Sequence, residues 1–216
     1  MLRVDFISDI NCPWCALGLA AFLRALEQVR GEITVDLHFQ PFELNPQLPP
    51  EGVDLAEYLR GKYGMSDEKI AAVHEDIRRR GESLGFAFAH RERLWNSFNA
   101  HRLLAWAGRE GPAGGQLRLK QALMRAYQGE GRDVSDPAVL LSAAIDAGLD
   151  AARAREVIVG DAFAAQVREA EAMWQAEGIH AVPSVVVNDR DLVQGAQSPE
   201  TYAEILRELA ARASSA

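Results

Sequence analysis

The sequence contains few cysteines, few aromatic residues and no long uncharged run. Only two of its 216 residues are cysteine, and Phe, Trp and Tyr together make up 7%. No uncharged run approaches the roughly 20 residues that a helix needs to cross a bilayer. The 23 Lys and Arg residues are outweighed by 31 Asp and Glu, giving a net charge of −8, whereas nucleic-acid binding needs clustered cations. We therefore expect neither a membrane nor a nucleic acid among the partners.

The start of the chain also lacks the features of a secretory signal. Residues 1–6 have no basic head followed by an uninterrupted apolar stretch, so the sequence predicts a cytoplasmic protein. Stable structural disulfides are rare in that compartment. A close pair of cysteines is therefore expected to be catalytic or metal-binding.

The two cysteines do form such a pair. Cys12 and Cys15 are separated by Pro13 and Trp14. They follow an alternating strand-like run at residues 2–7, and an apolar helical pattern begins directly behind them. A Cys-x-x-Cys motif at a strand-to-helix junction is typical of a thioredoxin-like redox motif.

The remaining periodicity predicts an α/β thioredoxin-like fold with a large all-helical insertion domain. After the first helix, a second strand over residues 33–39 is expected to pair in parallel with the first. Residues 54–177 show helical patterns and no convincing strand. Within them, a helix is expected over residues 116–129, and Ser66 and Asp136 are expected to cap the starts of two others. A hairpin and a final helix follow. We accordingly assign residues 1–48 and 178–216 to the thioredoxin-like domain and residues 49–177 to the insertion, with residues 212–216 expected to fray.

The position of the pair suggests a role for each cysteine. Cys12 lies where the helix begins, so its sulfur can accept hydrogen bonds from free N–H groups and is favoured as a thiolate by the helix dipole. Pro13 suits the first helical position, which does not need its N–H. Cys15 lies one turn further in, so we assign Cys12 as the attacking nucleophile and Cys15 as the resolving thiol. Trp14 is expected to be exposed and to contact substrate.

Other interpretations of the pair remain open. A purely structural disulfide would close so small a loop that it would remove little entropy from the unfolded chain. A zinc site needs two further ligands, and the five histidines are scattered without a paired spacing. Val182 and Pro183 precede the predicted hairpin, where a proline can simply begin a strand. Alternatively, this proline faces the cysteines in the cis form and leaves the Val182 backbone free to pair with substrate.

Several segments together resemble the DsbA-type thioredoxin-fold superfamily. The most similar branch is the FrnE-like one, which is related to 2-hydroxychromene-2-carboxylate isomerases and kappa-class glutathione transferases. The segments are residues 8–15, 41–46, 96–103, 178–184 and 195–197. They span nearly the whole chain in the order that the family has.

The resemblance implies a helical domain inserted in a thioredoxin fold and a catalytic pair formed by Cys12 and Cys15. It also implies that Pro183 is a cis-proline opposite that pair. His101 lies in the segment that resembles the family's active-site-facing helix, where it could stabilise the Cys12 thiolate or orient substrate; alternatively, it is a partly buried or surface histidine on an amphipathic helix. The isomerase and transferase relatives use a serine where this chain has Cys12. That departure favours disulfide chemistry over glutathione-dependent isomerisation.

These arguments predict a thiol–disulfide oxidoreductase, or a disulfide-isomerase-like enzyme, acting on disulfides of polypeptides or small thiols. The predicted substrate-binding residues are Pro13, Trp14, Val182, Pro183 and His101, and no metal site is predicted. No tightly bound cofactor is expected, and glutathione is a candidate co-substrate. The alternatives are a glutathione-dependent isomerase or transferase of an aromatic small molecule, and a non-catalytic binding module.

Overall fold

A four-stranded mixed sheet forms the centre of the fold. The structure is a computed structural model that describes residues 1–214. The strands are β1 (Leu2–Ser8), β2 (Val35–Pro41), β3 (Val53–Asp54), β4 (Arg93–Leu94), β5 (Ser184–Val187) and β6 (Asp191–Gln194). The main sheet has the order β2-β1-β5-β6, and β3 pairs with β4 separately.

The register of the main sheet follows from the strand–helix–strand unit at the start of the chain. Val4 of β1 pairs with Leu37 of β2 in parallel, as predicted, because the intervening helix carries the chain back to the same end of the sheet. β5 runs antiparallel to β1, and β6 antiparallel to β5. The predicted hairpin is confirmed, and Asn188 and Asp189 form its turn with left-handed φ values of 52° and 53°.

Helices occupy most of the remaining described chain. They are α1 (Pro13–Gln28), α2 (Leu55–Tyr63), α3 (Asp67–Ser83), α4 (Phe98–Glu110), α5 (Gly115–Met124), α6 (Pro137–Asp146), α7 (Ala151–Val159), α8 (Ala164–Ala176) and α9 (Pro199–Ser214). The predicted caps are observed: Ser66 accepts a hydrogen bond from the Lys69 N–H at the start of α3, and Asp136 accepts one from Ala138 at the start of α6. Of the tail predicted to fray, residues 212–214 continue α9, and 215–216 lie outside the described residues.

The insertion is not purely helical, so the prediction of an all-helical region was wrong in this respect. Val53 pairs with Leu94 and Asp54 with Arg93 in a short antiparallel ladder. Two residues are too few to produce an alternating pattern, which explains why the sequence did not reveal them. The ladder joins the two ends of the α2–α3 segment.

A second difference concerns the helix predicted over residues 116–129. It is α-helical only as far as Met124 and continues as a π-helical turn at Arg125–Gly129. Because π-helical hydrogen bonds span five residues instead of four, the side chains after Met124 are rotated about the helix axis relative to their positions in a continuous α-helix. As a result, Tyr127 and Gln128 are both buried.

Helices pack against both faces of the main sheet. On one face, the Phe22 ring of α1 lies 6.0 Å from Phe6 and 5.2 Å from Tyr202 of α9, both in edge-on contacts. On the other face, Ile7 and Val186 pack with Trp174 of α8.

No helix in residues 1–214 is long and apolar enough to cross a bilayer. The strands of the main sheet come from the two ends of the chain, and the predicted domain limits at 48/49 and 177/178 stay a prediction.

We expect Gly81→Ala in α3 to destabilise the protein. A Cβ atom at this position would lie 2.5 Å from the Phe88 ring and closer still to the carbonyl oxygen of Phe86, both outside the helix. The backbone must therefore shift, at a cost of about 1–3 kcal/mol in the free energy of unfolding. Urea denaturation followed by circular dichroism would measure it.

Gly61→Ala in α2 is the matched control, because nothing lies within 4 Å of its added methyl group. Removing a helical glycine there should stabilise the protein by roughly 0.5–1 kcal/mol. Equal effects of the two substitutions would show that the contact at Gly81 does not limit packing.

Candidate active site

The two cysteines lie at the amino-terminal end of α1. Cys12 is the N-cap residue with extended backbone, and its carbonyl oxygen accepts hydrogen bonds from the N–H groups of Cys15, at 3.1 Å, and Ala16, at 3.4 Å. Pro13 occupies the first helical position, as predicted. Both cysteines are free thiols. The motif therefore presents an unpaired dithiol in the first turn of a helix.

The predicted proline loop lies against this turn. The Val182–Pro183 peptide bond is cis, as the resemblance implied. The thiol of Cys12 donates to the carbonyl oxygen of Val182 at an Sγ–O distance of 3.6 Å. Gly18 lets α1 approach the loop closely, because a Cβ atom there would lie 3.1 Å from Cγ of Pro183. The structure thus brings together Cys12, Val182 and Pro183.

The environments of the two sulfurs differ. Cys15 is fully buried, and burial, together with its hydrogen bond to Cys12, raises the pKa of its thiol well above the usual value. Cys15 is therefore protonated at neutral pH and is a poor first nucleophile. Cys12 is 4% exposed and lies on the wall of an open pocket. The asymmetry agrees with the predicted roles.

This pocket, called the Cys12 pocket below, has a volume of about 410 Å³. Its walls are mainly apolar side chains from the insertion. They include Leu55, Tyr58 and Leu59 of α2, Ile70, Val73 and Ile77 of α3, and Leu94 of β4. Trp14 also lines the pocket. It is 37% exposed, as predicted, with the Arg80 guanidinium 5.5 Å from its ring centre.

A buried carboxylate, that of Asp9, holds the turn that leads into Cys12. One oxygen accepts hydrogen bonds from the Asn11 N–H at 3.1 Å and the Ser97 hydroxyl at 2.7 Å, and the other accepts from the Leu44 N–H at 2.8 Å. Burial acts to raise the pKa of Asp9, but the neighbouring His101 imidazole and the hydrogen bonds from Leu44 and Ser97 outweigh it and lower the pKa. Asp9 is therefore ionised at neutral pH and joins three separate segments.

Two hydrogen bonds between side chains and backbone carbonyl groups also join this turn to the insertion. The Asn11 side chain donates to the carbonyl oxygen of Trp95 at 2.7 Å, and Gln128 in the π-helical turn donates to that of Ile10 at 2.7 Å. Polar groups buried in this way hold a single geometry, because any rearrangement would leave them unpaired.

His101 is placed differently from the prediction that it contacts substrate. It is buried in α4, and its Nε2 atom lies 3.5 Å from Oδ1 of Asp9. It does not line the Cys12 pocket but a second cavity beside β2, with His38 and Gln116. Its connection to the cysteine motif therefore runs through Asp9.

Lys120 of α5 is a functional candidate that the sequence reasoning missed. Its ammonium nitrogen is fully buried without a hydrogen-bond partner in the described chain. Burial lowers its pKa to about 8, although nearby Cys15, Asp9 and Cys12 act in the opposite direction. The signal was present: Lys120 lies three residues from Leu117 and from Leu123, on the apolar stripe of its helix. A cation at such a position is unusual.

Metal ligands do not cluster in the described residues. Within residues 1–214, no group of three or more His, Cys, Asp and Glu side chains is close enough together to hold a metal ion. The histidines that the zinc alternative would need are dispersed, with His74 and His90 in contact with each other and His101 beside Asp9.

Comparison with known proteins gives a consistent result. The sequence model of the DSBA-like thioredoxin domain matches residues 3–207. None of the curated proteins matches the chain in sequence. Among solved structures, a "probable DsbA oxidoreductase" from Streptomyces coelicolor is 32% identical, with a TM-score of 0.88 over 96% of this chain and 89% of that one.

More distant structures share the architecture. A 2-hydroxychromene-2-carboxylate isomerase is 16% identical, with a TM-score of 0.67 over 99% of this chain and 98% of that one. The cytosolic disulfide reductase DsbM from Pseudomonas aeruginosa, solved with GSH, is 18% identical, with a TM-score of 0.62 over 96% and 98%. At these identities the likeness supports the fold alone.

We expect Lys120→Met to stabilise the reduced protein at pH 7. The fold lowers the pKa of Lys120 from 10.5 to about 8, so protonated Lys120 penalises the native state by up to about 3 kcal/mol below pH 8. Between pH 8 and 10.5 the unfolded chain binds the extra proton, so the penalty disappears as pH rises. Urea unfolding at pH 7 and pH 10 should show a gain at the lower pH that shrinks at the higher one.

Lys120→Arg is the control, because it keeps a charge that cannot be neutralised and should destabilise the protein at both pH values. A stability difference between wild type and Lys120→Met that is the same at pH 7 and pH 10 would contradict the lowered pKa.

Proposed function

The chain belongs to the family of DSBA-like thioredoxin domains, and we propose that it is a thiol–disulfide oxidoreductase acting through Cys12 and Cys15. The observation that carries the proposal is the asymmetry of the dithiol. The Cys12 sulfur lies between an open pocket and the Val182 carbonyl, whereas Cys15 is sealed beneath it. A first sulfur on the wall of a pocket and a fully buried resolving sulfur behind it form the arrangement that a two-step exchange requires.

In the first step, the Cys12 thiolate attacks one sulfur of a substrate disulfide. A bond forms between Cys12 and that sulfur, the substrate S–S bond breaks, and the other half leaves as a thiolate. The positive amino-terminal end of the α1 dipole stabilises the attacking anion. Val182 and Pro183 border the site where an extended substrate would lie, and Trp14 forms its exposed side.

In the second step, Cys15 resolves the mixed disulfide. Its thiol first loses a proton, and its sulfur then attacks Cys12. The Cys12–Cys15 disulfide forms, the bond between Cys12 and the substrate breaks, and the second half of the substrate leaves as a thiolate that then takes up a proton. The nearby charge of Lys120 favours this ionisation, because it acts to lower the pKa of Cys15. The substrate has gained two electrons and the protein has lost two.

Glutathione is the proposed co-substrate that returns the protein to its dithiol form. Two glutathione molecules would supply the two electrons and leave as glutathione disulfide. We place this cycle in the cytoplasm, where the glutathione pool is reducing. A neighbour of the same fold, solved with GSH, is described as a cytosolic disulfide reductase, which supports this direction.

A glutathione-dependent isomerase or transferase of an aromatic small molecule is the second candidate. The observation that favours it is the apolar wall of the Cys12 pocket. The two functions differ in their need for Cys15, because isomerisation requires no resolving thiol. A chromene-type substrate converted by Cys15→Ala protein with glutathione would favour this second candidate.

We expect Cys12→Ser to abolish thiol-dependent disulfide reduction, because a serine hydroxyl does not ionise at neutral pH. Cys15→Ser should keep the first step and lose the second, so that oxidised glutathione leaves one glutathione bound on Cys12. Reduction of a disulfide substrate followed by absorbance, and intact-protein mass spectrometry with peptide mapping, would measure the two effects.

Wild-type protein treated in the same way is the control and should show no lasting adduct. Turnover by Cys12→Ser equal to wild type would remove the proposal. An adduct mapped to Cys15 in the Cys12→Ser protein would reverse the two roles.

A further inference from the structure

The Cys12 pocket contains a buried cation that the disulfide chemistry described above does not use. Arg91, in the segment before β4, lines this pocket and is 7% exposed. Its Nε atom has no hydrogen-bond partner, and no carboxylate of the described chain lies within 4.0 Å of its guanidinium. The nearest aromatic contact is the Tyr127 ring, whose centre is 5.4 Å from the guanidinium carbon.

The other buried guanidinium in the described chain is in a different situation. Arg102 is 4% exposed, and it donates to the carbonyl oxygens of Val157, Gly160 and Ala162 and to the side chain of Asn99. These acceptors account for its burial as part of the architecture. Arg91 has no comparable set.

A guanidinium cannot relieve its burial by losing its proton. Lys120 can become neutral near pH 8, but arginine stays charged throughout the physiological range. A buried charge is costly unless an anion or several hydrogen-bond acceptors compensate for it. The groups beside Arg91 do not compensate for its charge. Burial and the charge of Arg91 both lower the pKa of His74, and Glu75, which lines another cavity with Arg91, pairs with Arg78.

Most of the remaining lining is apolar, with Asn11, Asn45 and His74 as the other polar residues. Leu59, Ile70 and Leu94 line it, and the two tyrosines of α2 contribute ring faces. Asn45 accepts hydrogen bonds from Tyr58 and Lys62 and is thereby occupied. A ligand that fits this environment has an apolar body and one anionic group.

We propose that the Cys12 pocket binds a small apolar molecule carrying a carboxylate, with the carboxylate on Arg91 and the apolar body against α2 and α3. This inference rests on the proposed function for its chemical consequence: the molecule is a disulfide, or the leaving half of one, with sulfur directed to Cys12. Arg91 then determines specificity. Planar carboxylates suit it because the guanidinium can donate two parallel hydrogen bonds.

The first test compares two aromatic disulfides that differ in charge. The reduced protein is mixed with 5,5′-dithiobis(2-nitrobenzoate), which carries carboxylates, and with neutral 4,4′-dithiodipyridine, and thiol release is followed by stopped-flow absorbance. Arg91→Gln should slow the first reaction by roughly tenfold or more and the second by about twofold at most. The neutral reagent corrects for any change in Cys12 reactivity, because such a change slows both reactions.

Two further variants complete this test. Arg91→Lys keeps the charge but cannot donate two parallel hydrogen bonds to a carboxylate. Its rate with the carboxylate reagent should therefore lie between those of wild type and Arg91→Gln. Arg79→Gln changes the net charge equally, but Arg79 is an exposed residue of α3 paired with Asp76, so both rates should stay at the wild-type values. Equal slowing of the two reagents by Arg91→Gln, or an equal effect of Arg79→Gln, would overturn the proposal.

A second test separates this proposal from the proposed function. In Cys12→Ser protein, which has no attacking sulfur, calorimetric titration with 2-naphthoate should show tighter binding than with 2-naphthamide. Adding Arg91→Gln should remove the difference. Equal affinities in Cys12→Ser protein would overturn the carboxylate site even if the redox activity is found. A clear preference for naphthoate together with an inactive wild type would retain the site and refute only the redox function.

Discussion

The carboxylate of Asp9 is the group on which the geometry of the site depends. It lies at the end of β1 and accepts hydrogen bonds from the turn before Cys12, from the loop after β2 and from the start of α4. Removing it would leave several buried donors unpaired at once, which costs far more than one lost hydrogen bond. The thioredoxin-like part and the insertion are thereby joined directly beneath the reactive sulfur.

The two cysteines acquire different properties from their depth along one helical turn. Cys12 caps α1 and lies on the pocket wall, whereas Cys15 has no contact with solvent and retains its proton. Lys120 contributes a second buried ionisable group beneath the pair, and its lowered pKa has the same cause, loss of hydration. The site thus combines a sulfur on the pocket wall with a dry interior that disfavours charge on both Cys15 and Lys120.

Local signals predicted the parts of the fold that have strong periodicity. The strand–helix–strand unit, the hairpin and the caps at Ser66 and Asp136 are confirmed, and so is membership of the DsbA family. The β3–β4 ladder and the π-helical turn were missed, because two-residue strands and a change of helical hydrogen bonding leave no periodic trace. Within the candidate site, the sequence predicted the cysteines and the Val182–Pro183 loop beside them, and it placed His101 in contact with substrate, where the structure does not put it. Asp9 and Arg91 matter through long-range contacts, which a single sequence does not encode locally, whereas Lys120 was detectable from its place on an apolar helix stripe.

The β3–β4 ladder has a consequence for how this architecture can diversify. It holds the two ends of residues 55–92 side by side. This segment, which contains α2 and α3, therefore begins and ends at the same place. Changes in length or composition within this segment alter the wall of the Cys12 pocket, whereas the strands of the main sheet and the hydrogen bonds to Asp9 lie outside it. On the proposed function, substrate preference and redox chemistry can therefore evolve separately, the former by exchanging one contiguous segment.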